Sequence, residues 1–354
     1  MGLVNNELRS KAWAILLKSD IKTGLKQNTS KHSDEGQIDL DINRSLNSYP
    51  KGLMKPSKDA LRTQLATLIK KVLRAQPKLC YFQGYHDIAA CFLLVMGPTR
   101  AVRALYNISL FYIRDAMQSK LEPVMQQLDL IFTLIRLTDE QLYRFLEECE
   151  VPPFYALSWV LTWGTHDVKE LELSARIVEF ILASHPCMIL YVAAALTLHF
   201  RDEILSLEPD YAMVHTSLSK LFTKVTLSQT HPLEVTDSLD VESLLEKTAV
   251  LFQSYPLLKL RQASKVPWLH PNSCINLYDI WFLNVKAEDL PVSNAHIQGL
   301  MEQGDLNQLI QKPTIWKQLL NLKLPIFMDT WTLCIGVVVI LGLSWKYHTA
   351  NLFS

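Results

Sequence analysis

Residues 79–88 read LCYFQGYHDI and lead directly into an apolar run. Pro77 stops the preceding helical pattern, so Gln83 is expected in a loop or at the start of the next helix. Gly84 stands beside this polar amide and would let the backbone approach a partner surface where any side chain would collide. The apolar run predicts a helix to about Met96, ended by the Gly-Pro pair that follows it.

A second polar group lies upstream, in the stretch IDLDINRS that begins at Ile38. Asp41 and Arg44 are three positions apart, and on a helix both side chains would share one face, with Ile38 and Ile42 as anchors. Taken alone, Asp41 and Arg44 are typical of a surface ion pair, and Gln83 is typical of a loop amide. An arginine and a glutamine presented together are also what a protein that assists GTP hydrolysis would need.

The composition favours an all-α fold. The chain has 354 residues, of which 49% are apolar, so it can bury a large core in one or two domains. It contains only 11 glycines, and its long leucine-rich spans lack regular turn signals. Beyond the helix that starts near Gln83, we predict helices at about 57–76, 100–118, 121–136, 139–148, 174–184, 187–205, 210–224 and 239–253.

The first helix, over residues 3–18, is predicted to be amphipathic, with a stripe formed by Leu8, Ala12, Ile15 and Leu16. A polar connection over residues 19–36 should follow it. Later in the chain, residues 154–163 are apolar nearly all round. We expect that segment, with Trp159 and Trp163, at the centre of the core.

Charge and cysteine usage narrow the function classes. The 35 basic and 35 acidic residues balance, so the overall charge gives no support for nucleic-acid binding. Residues 1–75 carry 14 Lys/Arg against 7 Asp/Glu, a local excess of 14 − 7 = +7 that we interpret as a solvated basic face. The six cysteines form no Cys-x-x-Cys pair and have no histidine at ligand spacing, so we predict reduced thiols, mostly in the core, and no metal site.

The stretch at residues 324–345 is predicted to be a single transmembrane helix. Its length of about twenty residues matches the ~30 Å of a bilayer core, and Asp329 is its only charge. Trp331 and Trp345 bracket its most apolar part, as interfacial aromatic residues do. Only nine residues follow, so such an anchor would insert after synthesis and leave the preceding chain in the cytosol. The alternative is a buried core helix.

The two polar groups, in this order and some forty residues apart, resemble the TBC-domain family of GTPase-activating proteins for Rab GTPases. Ile38-x-x-Asp41-x-x-Arg44 matches the arginine-finger motif of that family, and Tyr81-x-Gln83-Gly84 matches its glutamine-finger motif. Phe154 to Thr162 resembles a third block. The sequence departs from the family pattern at Glu179, where Asp is more usual, and at Tyr85, where Met often follows the glycine.

This resemblance implies a TBC-domain helical fold over residues 1–255. We expect an irregular region and tether over 256–323, the transmembrane anchor over 324–345 and a short tail over 346–354.

The resemblance also implies roles for single residues. Arg44 and Gln83 would be the catalytic residues that the domain supplies to a GTP-bound Rab GTPase. The supporting residues would be Ile38, Asp41, Tyr81 and Gly84. The chain itself would need no cofactor, because GTP and Mg²⁺ belong to the partner GTPase. His86 and Asp87 suggest acid–base chemistry, but no nucleophile is placed for them, and we interpret them as structural hydrogen-bonding residues.

Within the family, the YFQGYHD stretch and the single C-terminal anchor are closest to a member that acts at the endoplasmic reticulum. That similarity implies a tail-anchored protein of the endoplasmic reticulum membrane with its catalytic domain facing the cytosol. Its partners would be the Rab of ER-to-Golgi traffic and membrane-shaping proteins of the same organelle. The alternative function is a TBC-fold adaptor that binds Rabs or membrane-shaping proteins without catalysis.

Overall fold

The fold is described by a computed structural model. It covers residues 2–279 except 21–24, 26–29, 48–49, 51, 53, 228–237 and 265–268. All of these residues belong to a compact unit, Met1–Leu306. The predicted anchor at 324–345, the tail at 346–354 and most of the predicted tether lie outside the described residues.

The described chain is predominantly α-helical, which confirms the all-α part of the predicted fold class. Short 3₁₀ turns lie at Arg114–Met117, Pro153–Ala156 and Leu221–Lys224. Strands β1 (Val225–Thr226) and β2 (Leu239–Asp240) form a two-residue parallel pair. The α-helices are α1 (Asn6–Leu16), α2 (Glu35–Asn43), α3 (Lys55–Ala75), α4 (Tyr85–Phe111), α5 (Glu122–Thr138), α6 (Glu140–Glu148), α7 (Leu157–Thr162), α8 (Leu171–Leu182), α9 (Met188–His199), α10 (Arg201–Leu205), α11 (Tyr211–Ser219), α12 (Val241–Ser254), α13 (Leu257–Ala263) and α14 (Cys274–Leu277).

Helix α4 is the central element of the half of the fold that carries the two polar groups, and α1, α2 and α3 pack against it. The predicted end at Gly97 is a kink within α4, where Gly97 has φ 73° and ψ 164° before Pro98. Among the described residues, α4 alone is long and apolar enough to cross a membrane, by length and composition only. Its most apolar window is 61% buried inside the protein, as in the core helix of a globular domain.

A second part of the core is built by α5, α9 and α12. Helix α9 is buried nearly all round, as its apolar composition requires. Trp159 and Trp163 are fully buried, so their predicted place in the core is confirmed. The helix predicted over 187–205 is two helices, because α9 ends at His199 and α10 starts at Arg201.

The predicted apolar stripe of α1 is wrong. Ile15 is 72% exposed, and the helix instead buries Trp13 and Ala14, with Leu17 just beyond its end. The Trp13 ring lies 5.0 Å from the Phe92 ring of α4, and an indole buries more apolar surface than an isoleucine. The large aromatic side chain therefore decides which face of α1 turns inward.

Packed residues continue beyond residue 255, where we expected the domain to end. Helix α13 buries Leu260, and the segment 269–279 buries Leu269, Ile275 and Tyr278. The Tyr278 hydroxyl lies 2.9 Å from that of Tyr112 at the end of α4. The region predicted as irregular over 256–323 thus begins with residues that belong to the packed core.

Candidate functional site

Helix α2 carries the first predicted group. Its apolar side buries Ile38 and Ile42 against α3 and α4. Asp41 is turned to the same side and is 0% exposed, whereas the Arg44 side chain at the end of the helix is 43% exposed. The helix therefore buries the carboxylate and leaves much of the guanidinium at the surface.

The buried Asp41 carboxylate has three hydrogen-bond donors. Arg44 Nη2 donates to Oδ1 at 2.7 Å, and Gln37 Nε2 donates to the same oxygen at 3.1 Å. The Tyr81 hydroxyl donates to Oδ2 at 2.9 Å. A buried charge is tolerated when it is paired and hydrogen-bonded in this way. The contact predicted between Asp41 and Arg44 is thus present, and Tyr81 is a further partner.

The second predicted group forms the turn before α4. The backbone N–H of Tyr81 donates to Oδ2 of Asp34, the residue that precedes α2, at 2.8 Å. Gln83 follows with a partly exposed side chain, and Gly84 is the N-cap of α4. The connection predicted over 19–36 is therefore packed against this turn at its C-terminal end.

Gly84 is required by its backbone and by its surroundings. Its φ of +104° is one that side-chain-bearing residues rarely adopt, and a Cβ there would lie 2.7 Å from Thr162 Cγ2 of α7. The glycine lets α7 approach the turn closely, and its backbone conformation sets the direction of the turn that follows Gln83. The predicted supporting role of Gly84 has a steric basis.

Tyr81 joins the two groups. Its backbone is on the Gln83 turn, and its hydroxyl reaches Asp41, 40 positions earlier in the chain. Burial, and then the Asp41 charge, raise the pKa of Tyr81 far above its usual range, so the hydroxyl stays a neutral donor. Tyr81 therefore ties the helix that carries Ile38, Asp41 and Arg44 to the turn that carries Gln83 and Gly84.

Three further polar residues continue the chain of polar contacts that starts at the Tyr81 hydroxyl. The Tyr81 hydroxyl lies 3.0 Å from His86 Nδ1, and His86 Nε2 lies 3.5 Å from Asp87 Oδ1. Asp87 Oδ2 lies 2.8 Å from Nδ1 of His166, in the connection between α7 and α8. Sequence reasoning missed His166 as part of the site, because 79 positions separate it from Asp87 and no motif marks it.

The charges of this extension are coupled. Burial opposes ionisation of Asp87, but the nearby His86 and the hydrogen bond from His166 hold its pKa below the usual range. The same hydrogen bond raises the pKa of His166. The positive charge of Arg44 lowers the pKa of Asp87 and that of His166, so Arg44 lies close enough to act on both side chains. In the part of the chain that the structure describes, no group of three His, Cys, Asp or Glu side chains is placed to hold a metal ion.

The part of the chain that is similar to known proteins includes the residues of this site. The family model described as Rab-GTPase-TBC domain matches residues 6–205, which include the whole site. The chain belongs to this family. Its TBC domain carries all six predicted site residues and also His86, Asp87 and His166.

Curated relatives match much of the chain. TBC1 domain family member 20 from Bos taurus is 28% identical over 318 residues, which are 88% of this chain and 75% of the relative. The Mus musculus protein of that name is 30% identical over 259 residues, 72% of this chain and 61% of the relative. The GTPase-activating protein gyp10 of Schizosaccharomyces pombe is 28% identical over 311 residues, 85% of this chain and 79% of the relative.

Two solved structures are also similar. The crystal structure of the Chlamydomonas flagellar RabGAP TBC domain is 12% identical with a TM-score of 0.46, covering 69% of this chain and 80% of that chain. The crystal structure of the Ypt/Rab-GAP domain of Gyp1p is 16% identical with a TM-score of 0.48, covering 70% and 80%.

Both departures from the family pattern have structural partners in this TBC domain. Glu179 accepts a hydrogen bond from the Leu3 backbone N–H at 3.0 Å and pairs with Arg9 at 3.4 Å, so it fastens α1 to α8. Tyr85 is buried, and its hydroxyl lies 2.8 Å from the Ser109 hydroxyl.

Proposed function

We propose that this TBC domain accelerates GTP hydrolysis by a Rab-family GTPase, with Arg44 as an arginine finger and Gln83 as a glutamine finger. One observation carries the proposal. Asp41 holds the half-exposed Arg44 and, through the Tyr81 hydroxyl, is tied to the turn that carries Gln83. Arg44 and the turn that carries Gln83 are thereby linked through one buried carboxylate, and their side chains are of the types that this chemistry needs.

The relatives support the same function. The Schizosaccharomyces pombe and Saccharomyces cerevisiae proteins are named GTPase-activating proteins, gyp10 and GYP8. Family membership points to a Rab GTPase as the partner.

Arg44 would act on the charge that spreads over the transferring phosphoryl group. Its planar guanidinium can bind two phosphate oxygens at once, and it stabilises negative charge most where water is excluded. An arginine supplied in trans is worth about 10³–10⁵ in rate, or roughly 4–7 kcal/mol of barrier. Asp41 would hold this side chain in position until the partner's phosphates replace it.

Gln83 would orient the attacking water in place of the GTPase's own glutamine. A carboxamide can donate to and accept from a water molecule at the same time, which suits it to this task. Ile38, Tyr81 and Gly84 would fix the backbone around the two fingers without touching the nucleotide. GTP and Mg²⁺ would be brought by the Rab, and this chain would need no cofactor of its own.

The decisive experiment measures single-turnover GTP hydrolysis by a panel of purified Rab GTPases with the full chain. Arg44→Ala should remove at least about 10²-fold of the acceleration, and Arg44→Lys should recover little, because lysine keeps the charge but lacks the fork. Gln83→Ala should also reduce the rate strongly. Arg144→Ala is the matched control, because Arg144 is an exposed arginine paired with a carboxylate, Glu140, on its own helix.

The assay distinguishes an arginine finger from a non-catalytic adaptor. Full acceleration by Arg44→Ala with an unchanged melting temperature would contradict the arginine finger. Rab binding by the wild-type chain without any acceleration would instead indicate the non-catalytic adaptor.

The cellular setting is a finer part of the proposal. Residues 324–345 would anchor the protein in the endoplasmic reticulum membrane with the TBC domain in the cytosol, where it would act on the Rab of ER-to-Golgi traffic. The hydropathy of the segment supports the membrane anchor, while the organelle and the Rab rest on the family resemblance of the YFQGYHD stretch and the C-terminal segment. Membrane-shaping proteins of the organelle are further candidate partners. Deleting 324–354 should release a fluorescently tagged chain from membranes, and continued co-sedimentation with them would contradict the anchor.

A further inference from the structure

The turn that carries Gln83 is flanked in the chain by two residues, Tyr81 and Asp87, whose side chains make polar contacts with other parts of the fold. On one side, the Tyr81 hydroxyl is fixed by Asp41 of α2 at 2.9 Å. On the other side, Asp87 in the first turn of α4 is fixed by His166 at 2.8 Å. The first contact belongs to the recognised motifs, whereas His166 lies outside them.

The contact between Asp87 and His166 acts on the Gln83 turn, because Asp87 is itself part of that turn. Its backbone N–H donates to the Gly84 carbonyl at 2.9 Å, so Asp87 closes the turn that follows Gln83. Its side chain is largely buried, and His166 comes from the connection after α7, the helix that Gly84 contacts through Thr162. The connection after α7 therefore holds the start of α4 by a charged hydrogen bond as well as by close packing.

Three charged groups act on His166. Asp87 is its hydrogen-bond partner, Asp167 is its neighbour in the chain, and Arg44 acts on it from α2. His86 lies on the far side of Asp87, at 3.5 Å. The two carboxylates favour the protonated imidazole and Arg44 opposes it, with the net result that its pKa is raised.

We propose that His166 is a positioning residue for GTPase activation, which holds the Gln83 turn in place through Asp87. The inference rests on the proposed function, since it assigns His166 to the support of the glutamine finger. His166 does not touch the nucleotide in this account. Its contribution is to keep the amide of Gln83 where the partner's water would be bound.

The first measurement separates kcat from KM for Rab GTP hydrolysis, using the full chain and the Rab that the panel shows to be most strongly accelerated. His166→Ala should lower kcat about tenfold with little change in KM, because a misplaced catalytic group weakens the reaction without weakening docking. His166→Asn should recover most of kcat, since an asparagine amide can also donate to Asp87. His215→Ala is the control, because His215 is a partly buried histidine that stacks on Tyr211 of α11.

The second measurement is the pH profile of the acceleration, divided by the intrinsic rate of the Rab at each pH. Because the pKa of His166 is raised in the folded protein, the imidazolium–carboxylate pair is complete at low pH and weakens as pH rises through that pKa. The wild type and His215→Ala should therefore lose acceleration over this range. His166→Asn should lose the part of this pH dependence that belongs to His166, because asparagine does not titrate. Any inflection that remains would belong to the neighbouring Asp167, whose pKa burial raises to about 6.

The third measurement does not depend on activity. In His166→Ala the backbone amides of residues 85–88 should exchange hydrogen faster than in the wild type, while amides of α9 should be unchanged.

An unchanged kcat in His166→Ala, or an equal loss in His215→Ala, would overturn the proposal. If no Rab is accelerated by the wild type, the proposed function fails by itself and the exchange measurement decides. Faster exchange then supports the hold on the Gln83 turn, and unchanged exchange overturns it.

Discussion

At the scale of single residues, the site depends on an asymmetric ion pair. Asp41 is buried and accepts from Gln37 and Tyr81 as well as from Arg44, whereas Arg44 lies near the surface. If Arg44 turned to a phosphate, the carboxylate would keep two donors and would not be left buried without a partner. This arrangement would hold Arg44 in the unbound protein and would still let it bind a phosphate of the partner.

Gly84 gives the first testable prediction. Gly84→Ala places a Cβ at a φ of +104° and 2.7 Å from Thr162 Cγ2, so we expect a loss of about 1–3 kcal/mol of unfolding free energy. The acceleration of Rab GTP hydrolysis should fall with it, since the Gln83 turn must shift. Chemical denaturation and the hydrolysis assay measure the two effects.

Two further variants test the cause of the Gly84→Ala effect. Gly36→Ala is the matched control, because no atom lies within 4 Å of its added Cβ and the site is helical, so stability should be equal or slightly higher. Thr162→Ser removes Cγ2 and keeps the hydroxyl. Combined with Gly84→Ala, it should restore the steric part of the loss and leave the part due to φ. A double variant no better than Gly84→Ala would exclude the steric explanation.

At the scale of elements, α2 is held at its first turn by an ion pair to α3. Arg74 donates to both Glu35 carboxylate oxygens, at 2.6 and 2.7 Å, and the His32 backbone N–H donates at 2.9 Å. The Arg74 hydrogen bonds are the main reason that the pKa of Glu35 falls to about 2, against the opposing effect of burial. The pair sets the direction in which α2 presents Arg44.

This pair predicts a pH-dependent stability difference. The folded pKa of Glu35 lies below its ordinary value of 4.5, so its contribution is complete above pH 4.5 and is lost as pH falls toward 2. Glu35→Gln should cost about 1–2 kcal/mol at pH 7, a range reduced for solvent screening of the partly exposed Arg74. Thermal unfolding of both proteins from pH 7 down to about pH 3 should show the difference shrinking progressively below pH 4.5. Glu140→Gln, in an exposed pair, should show none, and a constant gap in Glu35→Gln would argue against the ion pair.

The exposed face of α2 predicts an apolar contact with the partner. Leu40 is 61% exposed and precedes Arg44 by four positions, so both side chains share the outer face of α2. If Arg44 enters a nucleotide site, Leu40 must meet the surface that borders it. Leu40→Ala should raise KM about fivefold with kcat changed less than about twofold. Fivefold is about 1 kcal/mol, which is below the about 1.5–3 kcal/mol of a fully buried leucine because the contact would cover only part of the side chain.

Ile15→Ala is the control for Leu40, because Ile15 is an apolar side chain of similar exposure on α1. A KM that rises equally in both variants would show that the effect is not specific to the Arg44 face.

The elements show what local patterns could and could not predict. The spacing of Asp41 and Arg44, and the Gln83-Gly84 pair, predicted a helix and a turn because these signals lie within a few residues. The buried face of α1 was predicted wrongly, because its orientation is set by Trp13 packing on Phe92 of α4. His166 could not be predicted, since only the packing of the complete fold brings it to Asp87.

At the scale of the whole molecule, α4 connects the site to the last described segment. The Gln83 turn begins the helix, and Arg114 and Asp115 follow its end in a buried 3₁₀ turn. Asp115 accepts from Gln127 Nε2 at 2.7 Å and from the Cys274 backbone N–H at 3.0 Å. Residues 269–279 are thereby fastened to the core by a buried carboxylate, beyond the residues that the family model matches.

This fastening predicts that the segment contributes to the stability of the domain and not to its chemistry. Asp115→Ala leaves the Gln127 amide and the Cys274 N–H without their acceptor, so we expect a loss of about 2–4 kcal/mol by chemical denaturation. Asp202→Ala, at an exposed ion pair, should change little. At a temperature where both variants are folded, Rab GTP hydrolysis should be accelerated normally, because neither residue touches the Arg44 site. Normal stability in Asp115→Ala would mean that the segment only rests on the core, and a chain ending at residue 255 would then suffice for activity.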